Sequence, residues 1–221
     1  MVDWILDKIR EAGIDEVHLV TNGRFAAQFR QWADGRNVVV HNDGTTSNDD
    51  RLGAIGDIRF VQERTDVDDD LLVIAGDNLF DYSLSAYVDF WRGKNGASAL
   101  AVHDVGDPGL ASKYGIVSVD EDERIVDFVE KPEHPESTLA ATATYLYARA
   151  HARLVPAYLD EGNPPDQPGN YVAWLHKREP VYAYRFEGGW YDIGDPEQLL
   201  AADNRMRERD GLPPRDTYSL D

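Results

Sequence analysis

Cysteine is missing altogether from this 221-residue chain. Disulfides and thiol chemistry are therefore excluded. Positive charge is scarce: 5 Lys and 17 Arg stand against 28 Asp and 13 Glu, for a net charge of −19. Such a surface repels nucleic acid and anionic membranes, so neither is expected as a partner. Long apolar runs are absent too, and no stretch approaches the roughly 18–20 residues of a membrane span. The opening Met1 to Ile9 has no basic n-region and carries acids among its apolar residues, unlike a signal peptide. A cytoplasmic location is the resulting expectation. The Asp-rich, Lys-poor balance keeps a protein hydrated in concentrated salt and points to a halophilic host. An ordinary acidic cytosolic protein is the alternative. A chain this negative must gather positive charge locally to hold a phosphorylated ligand, which draws attention to each lysine.

What is present suits a folded domain. Hydrophobic residues make up 42% of the chain, enough for a core. Residues 3–12 read as an amphipathic helix ending at Gly13, and residues 17–20 as a short strand. A helix over 25–32, a strand over 38–40 and a helix over 53–64 follow. Leu71 to Ala75 is a continuous apolar run, the pattern of a central parallel strand. A helix at 84–92 and a strand at 97–102 complete an alternation that predicts a parallel, three-layer α/β sheet. In the second half, strands are expected at 114–119, 125–129, 143–147 and 181–186. Helices are expected near 149–160, through Trp174, and at 196–209 with Pro196 in the first turn. Residues 1–210 are expected to form one domain, with 211–221 a loosely held tail. The acid run Asp66–Asp70 reads as a solvated loop.

Four segments carry candidate chemistry. Gly76-Asp77-Asn78 follows the apolar strand, where α/β sheets place ligands, and an Asp there can hold Mg²⁺. A turn aspartate capping the next segment is the plainer account. Trp190-Tyr191-Asp192-Ile193-Gly194 offers a second carboxylate that could share the same ion; helix capping is the plainer account, although Asp195 fills that place better. Phe128-Val129-Glu130-Lys131-Pro132 ends a strand with a carboxylate and a lysine. The ammonium suits a phosphate and the carboxylate suits sugar hydroxyls, unless the two are only an exposed ion pair. Finally, Asn42 to Asn48 leads into Arg51-Leu52-Gly53-Ala54-Ile55-Gly56-Asp57. Free N–H groups at that helix start could meet a base or phosphate, or the segment could be an ordinary connection. The six histidines show no metal-ligand spacing, and no Gly-x-Ser-x-Gly elbow occurs.

In order and spacing these motifs, with Lys113-Tyr114-Gly115, resemble the sugar-1-phosphate nucleotidyltransferases, the glucose-1-phosphate thymidylyltransferase type in particular, from about residue 1 to 209. The resemblance implies a three-layer Rossmann-like mixed sheet with a small β extension. It also implies a reaction of a nucleoside triphosphate with a sugar 1-phosphate, giving a nucleotide sugar and pyrophosphate. Asp77 and Asp192 are then the Mg²⁺ carboxylates and Lys131 the grip on the sugar phosphate. Glu130, the backbone of Gly115 and Tyr145 orient the sugar, and the Gly53 segment approaches the base. A homo-oligomer is compatible with this reading.

The chain departs from that family at its start. A buried strand, a Gly-x-Gly-x-Arg loop and a Lys-Pro segment, roughly 40–50 residues together, have no counterpart ahead of the first helix. The missing strand would lie between the strands at 17–20 and 71–75, leaving two bare edges or forcing them to pair. Transferase activity of these 221 residues alone is therefore expected to be impaired. A non-catalytic module binding a sugar phosphate or nucleotide sugar is the first alternative. A metal-dependent glycosyltransferase is the second, weakened because Asp77-Asn78-Leu79 is not Asp-x-Asp.

Overall fold

A computed structural model describes residues 1–217. The first elements are α1 (Val2–Glu11), β1 (His18–Thr21), α2 (Ala26–Ala33), β2 (Val39–Asn42), α3 (Ala54–Thr65), β3 (Leu71–Ile74), β4 (Asn78–Phe80) and α4 (Leu84–Arg92). Next come β5 (Ser98–Asp104), α5 (Pro108–Ala111), β6 (Gly115–Val119), β7 (Ile125–Glu130) and β8 (Leu139–Tyr147). The chain continues with α6 (Arg149–Ala152), α7 (Val155–Asp160), α8 (Pro168–Leu175), β9 (Val181–Arg185), β10 (Trp190–Asp192) and α9 (Pro196–Arg209).

Three sheets form. The main one runs β7-β6-β8-β5-β9, with β3 added to β8. A parallel pair β1–β2 and an antiparallel ribbon β4–β10 stand beside it. Alternation along the main strands sorts side chains to two faces. Leu71, Val73, Leu100, Val102, Tyr145 and Tyr147 pack with Val155, Tyr158, Tyr171 and Leu175 from α7 and α8. Leu72, Ile74, Ala99, Ala101 and Leu146 pack with Leu84, Tyr87 and Val88 from α4. Helices thus cover both faces of a mixed sheet, which is the expected three-layer α/β architecture.

The expectation of a mainly parallel sheet does not hold. Only β5–β9 is parallel in the main sheet. The apolar run of β3 is not a central parallel strand; it pairs antiparallel with β8 and with no other strand among the described residues. Its apolarity has a different cause, since both faces of an edge strand are covered by helices here. No pairing links β1 to β3. Of the two outcomes expected for these strands, they remain apart rather than closing on each other.

Strand β8 positions the site. Its last residues pair with β3, from Leu71↔Tyr147 to Ile74↔Thr144. Its first residues pair with β6 at Ile116↔Ala140. Because β5 fills the opposite edge along both parts, β3 and β6 lie end to end on one edge of β8. The junction is Ala143, whose φ is +52°. A left-handed alanine within a strand is strained and breaks the ladder. The facing register shifts between Leu100 and Val102.

Two smaller expectations change and one holds. The helix near 149–160 is two helices, because Pro156 suits the first turn of α7 and not a helix interior. The acid run 66–70 is the expected loop with its aspartates exposed, and there Asp68 accepts hydrogen bonds from Arg149, at 2.6 Å, and from Arg153, while Asp70 accepts from the Arg149 backbone N–H at 2.7 Å. The tail is held as far as Arg215, whose backbone N–H donates to Asn204 Oδ1 at 2.7 Å while Asn204 Nδ2 donates back to the Arg215 carbonyl at 2.9 Å. The last four residues of that predicted tail lie outside the described residues.

Candidate active site

The chain leaves β3 through a tight turn. The Ala75 N–H donates to the Ala143 carbonyl at 3.0 Å, and the Asn78 N–H returns to the Ala75 carbonyl at 3.3 Å. This turn lifts Asp77 out of the sheet and starts β4. The ribbon register then pairs Asn78 with Asp192 and Phe80 with Trp190, and the Ile193 N–H closes onto the Asp77 carbonyl at 3.0 Å. Asp77 and Asp192 therefore sit at the same end of one ribbon. Sequence reading missed this ribbon because each strand is only three residues long, too short for a period-2 pattern.

Between the two carboxylates lies Asn78, only 2% exposed. Its Nδ2 donates to Asp77 Oδ1 at 2.8 Å and reaches Asp192 Oδ1 at 3.3 Å. Its Oδ1 accepts from Trp190 Nε1 at 2.7 Å. Burial raises the Asp192 carboxyl above its ordinary range, and the negative charge of Asp77 adds to this; the Asn78 hydrogen bond and the Lys131 charge oppose it.

The lysine and glutamate close the neighbouring strand pair. Gly115 of β6 pairs with Glu130 of β7, and the Lys131 N–H donates to the Tyr114 carbonyl at 3.0 Å. Lys131 adopts φ +46°, a left-handed conformation that is unfavourable for lysine and turns the chain as it leaves the sheet. Its charge acts on both Asp192 and Glu130. Burial raises the Glu130 carboxyl, against the pull of Lys131. Tyr114, edge-on to the Trp190 ring at 4.9 Å, feels burial first and Asp192 second, and both raise its phenol.

Tyr145 lies near Glu130 but is only 3% exposed and is stacked on Tyr147 at 5.7 Å. Burial, then the Glu130 charge, raises its phenol. Gly115 has a packing reason to be glycine: a Cβ there would stand 2.6 Å from Phe128 Cζ and 2.9 Å from Glu130 Oε2.

Gly53 is placed otherwise than expected. The first N–H groups of α3 are not free, since Ala54 donates to the Asp166 carbonyl at 3.2 Å and Ile55 to the Pro165 carbonyl at 2.9 Å. A Cβ on Gly53 would stand 2.6 Å from Asp166 Cα, and its φ is +80°. The loop at 165–166 thus explains this glycine by itself. Nearby, burial and the charge of Asp43 push Asp57 up to about 7.

No trio of His, Asp or Glu suited to a metal ion occurs among the described residues. The carboxylate pair is what remains. A cavity of about 700 Å³, lined by Asp81, His103, Trp190, Tyr191, Arg205 and Arg209, opens near the other end of β10. It does not include Asp77, Asp192 or Lys131. The carboxylate pair therefore lies outside this cavity.

A family profile described as nucleotidyl transferase matches residues 1–209. The chain belongs to this family. That bears out the resemblance carried by the motifs. A glucose-1-phosphate adenylyltransferase of Clostridium acetobutylicum is 31% identical over 138 residues, which is 60% of this chain and 35% of that protein. The matched region thus spans about a third of the length of this nucleotidyl transferase relative. Among solved structures, a Bacillus anthracis protein assigned as a glucose-1-phosphate thymidylyltransferase, in complex with a sucrose, superposes with a TM-score of 0.77. The superposition covers 94% of this chain and 82% of that one at 21% identity, and it establishes the shared fold.

Proposed function

We propose that this nucleotidyl transferase domain serves the joining of a nucleoside triphosphate to a sugar 1-phosphate, giving a nucleotide sugar and pyrophosphate. One observation carries the reading: the β4–β10 register brings Asp77 and Asp192 to one end of the ribbon, where Asp192 also feels the charge of Lys131. In the reaction a phosphate oxygen of the sugar phosphate attacks the α-phosphorus. A new P–O bond forms, the bond to the β-phosphate breaks, and pyrophosphate leaves with the electron pair. Proteins assist such transfers mainly by positioning and charge neutralisation.

The residues divide that work. Lys131 holds the sugar phosphate as a compact positive charge. Glu130 accepts hydrogen bonds from sugar hydroxyls beside the Gly115 backbone, and the buried Tyr145 backs Glu130 from the core. Asp77 and Asp192 fit Mg²⁺, which is commonly held by one or two carboxylates plus substrate phosphates. Two carboxylates close enough for one to raise the other are the arrangement a divalent cation relieves. Bound there, Mg²⁺ offsets charge on phosphate oxygens.

The alternative reading is a module that binds a sugar phosphate or nucleotide sugar without turnover. No helix among the described residues is long and apolar enough to cross a membrane. A cytoplasmic setting in a salt-rich cell accords with the charge.

The test combines calorimetry with pyrophosphate detection. Glucose 1-phosphate with Mg²⁺ is expected to bind, and Asp192→Asn is expected to weaken that binding. Pyrophosphate release on adding nucleoside triphosphate supports the transferase; binding without release supports the module. No binding of any sugar 1-phosphate would sink both.

A further inference from the structure

The carboxylate pair depends on an amide that has only one workable orientation. Trp190 and Asp192 are two apart on β10, so they share a face of the ribbon. Asn78 stands directly opposite Asp192 and diagonally across from Trp190. The indole Nε1–H can only donate. At 2.7 Å it requires an acceptor, so the Asn78 atom facing it is Oδ1. The NH₂ end must then face the aspartates, where its contacts are 2.8 Å to Asp77 and 3.3 Å to Asp192. Turned over, the amide would set its oxygen against two carboxylates and its NH₂ against the indole donor.

The geometry points to Asn78 and Trp190 as positioning residues for the cation-holding carboxylates. Trp190 orients the amide, and the amide holds Asp77 and Asp192 together with their remaining oxygens turned outward. This rests on the reading that the two aspartates jointly hold a divalent cation. Neither residue need touch substrate. Tyr114 packs edge-on to Trp190 and limits movement of the indole.

The experiment uses the full chain and Mn²⁺ alone, with free Mn²⁺ read by electron paramagnetic resonance. Trp190→Phe keeps an aromatic ring and removes the donor. It is expected to weaken Mn²⁺ binding about tenfold, as loss of an outer-shell partner does, with circular dichroism unchanged. In an Asn78→Asp background the two side-chain oxygens are equivalent, so there is no orientation left to fix. There, Trp190→Phe is expected to change Mn²⁺ affinity by less than about twofold, a coupling read as a double-mutant cycle. Equal affinity of wild type and Trp190→Phe overturns the inference. So does an undiminished Trp190→Phe effect in the Asn78→Asp background, which marks simple packing. If Asn78→Asp does not fold, hydrogen exchange of the Asn78 side-chain amide in metal-free protein decides: slow in wild type and fast in Trp190→Phe supports the inference, and equal rates overturn it. Asp77→Asn and Asp192→Asn controls that bind Mn²⁺ like wild type remove the carboxylate-pair reading itself, and the inference with it.

Discussion

Glu130 and Gly169 touch where no side chain could intervene: a Cβ on Gly169 would stand 2.7 Å from Glu130 Oε2 and 2.5 Å from Phe128 Cζ. Gly169 lies in α8, and helix propensity alone would make Gly169→Ala stabilising by about 1 kcal/mol. The buried Phe128 ring has little room to retreat, so the clash is expected to win. Gly169→Ala should lower stability by about 1–3 kcal/mol in urea denaturation and weaken sugar-phosphate binding by displacing Glu130. An unchanged or raised midpoint would show that Phe128 moves freely.

Ala143 sets a similar contest between local preferences. Strand propensity favours valine in β8, yet φ +52° penalises a branched side chain. Ala143→Val is expected to destabilise the protein by about 1–3 kcal/mol. It should also disturb the Ala75–Ala143 hydrogen bond that anchors the Asp77 turn. Denaturation together with amide exchange at Ala75 checks both effects.

Asp57 makes stability depend on pH. Its carboxyl is pushed up to about 7 in the fold, from about 4 unfolded. Between these values the folded state binds more protons than the unfolded state, so stability falls as pH rises through the window. Asp57→Asn is expected to flatten that slope and to stabilise the protein by roughly 1–3 kcal/mol at pH 8, with little effect at pH 4. Parallel denaturation curves at pH 4 and pH 8 read it directly. A wild-type profile that does not fall between those values would count against a raised Asp57.

Lys131 is one of 5 lysines on a chain of net charge −19. Lys131→Met is expected to weaken glucose 1-phosphate binding tenfold or more, the scale of losing one charge-assisted contact of about 1.5–3 kcal/mol. Wild-type affinity should fall with added salt more steeply than that of the variant. Equal salt slopes would place the phosphate elsewhere.

The architecture was legible because its signals were long. The apolar run at 71–75, the helix at 196–209 and the alternation of strands with helices all exceed one turn or pleat. Pairing was less legible: β3 reads as parallel and central because helices cover both its faces, yet its hydrogen bonds run antiparallel to β8. The carboxylates, Lys131 and Glu130 stood out through their motifs. Asn78 and Trp190 were present in those motifs, but their contact depends on a diagonal across two three-residue strands, which no linear pattern encodes. Gly53 shows the reverse. Its motif suggested open N–H groups, and the loop at 165–166, more than a hundred positions away, occupies two of them.

The end-to-end seating of β3 and β6 on β8 has a mechanical corollary. The turn that carries Asp77 leaves the end of β3, and Gly115 opens β6, yet both strands are hydrogen-bonded to the same strand, Leu139–Tyr147. On the proposed reading, the spacing between cation and sugar would be inherited from those nine consecutive residues. A change in that spacing would then be absorbed at Ala143, the left-handed residue at the junction.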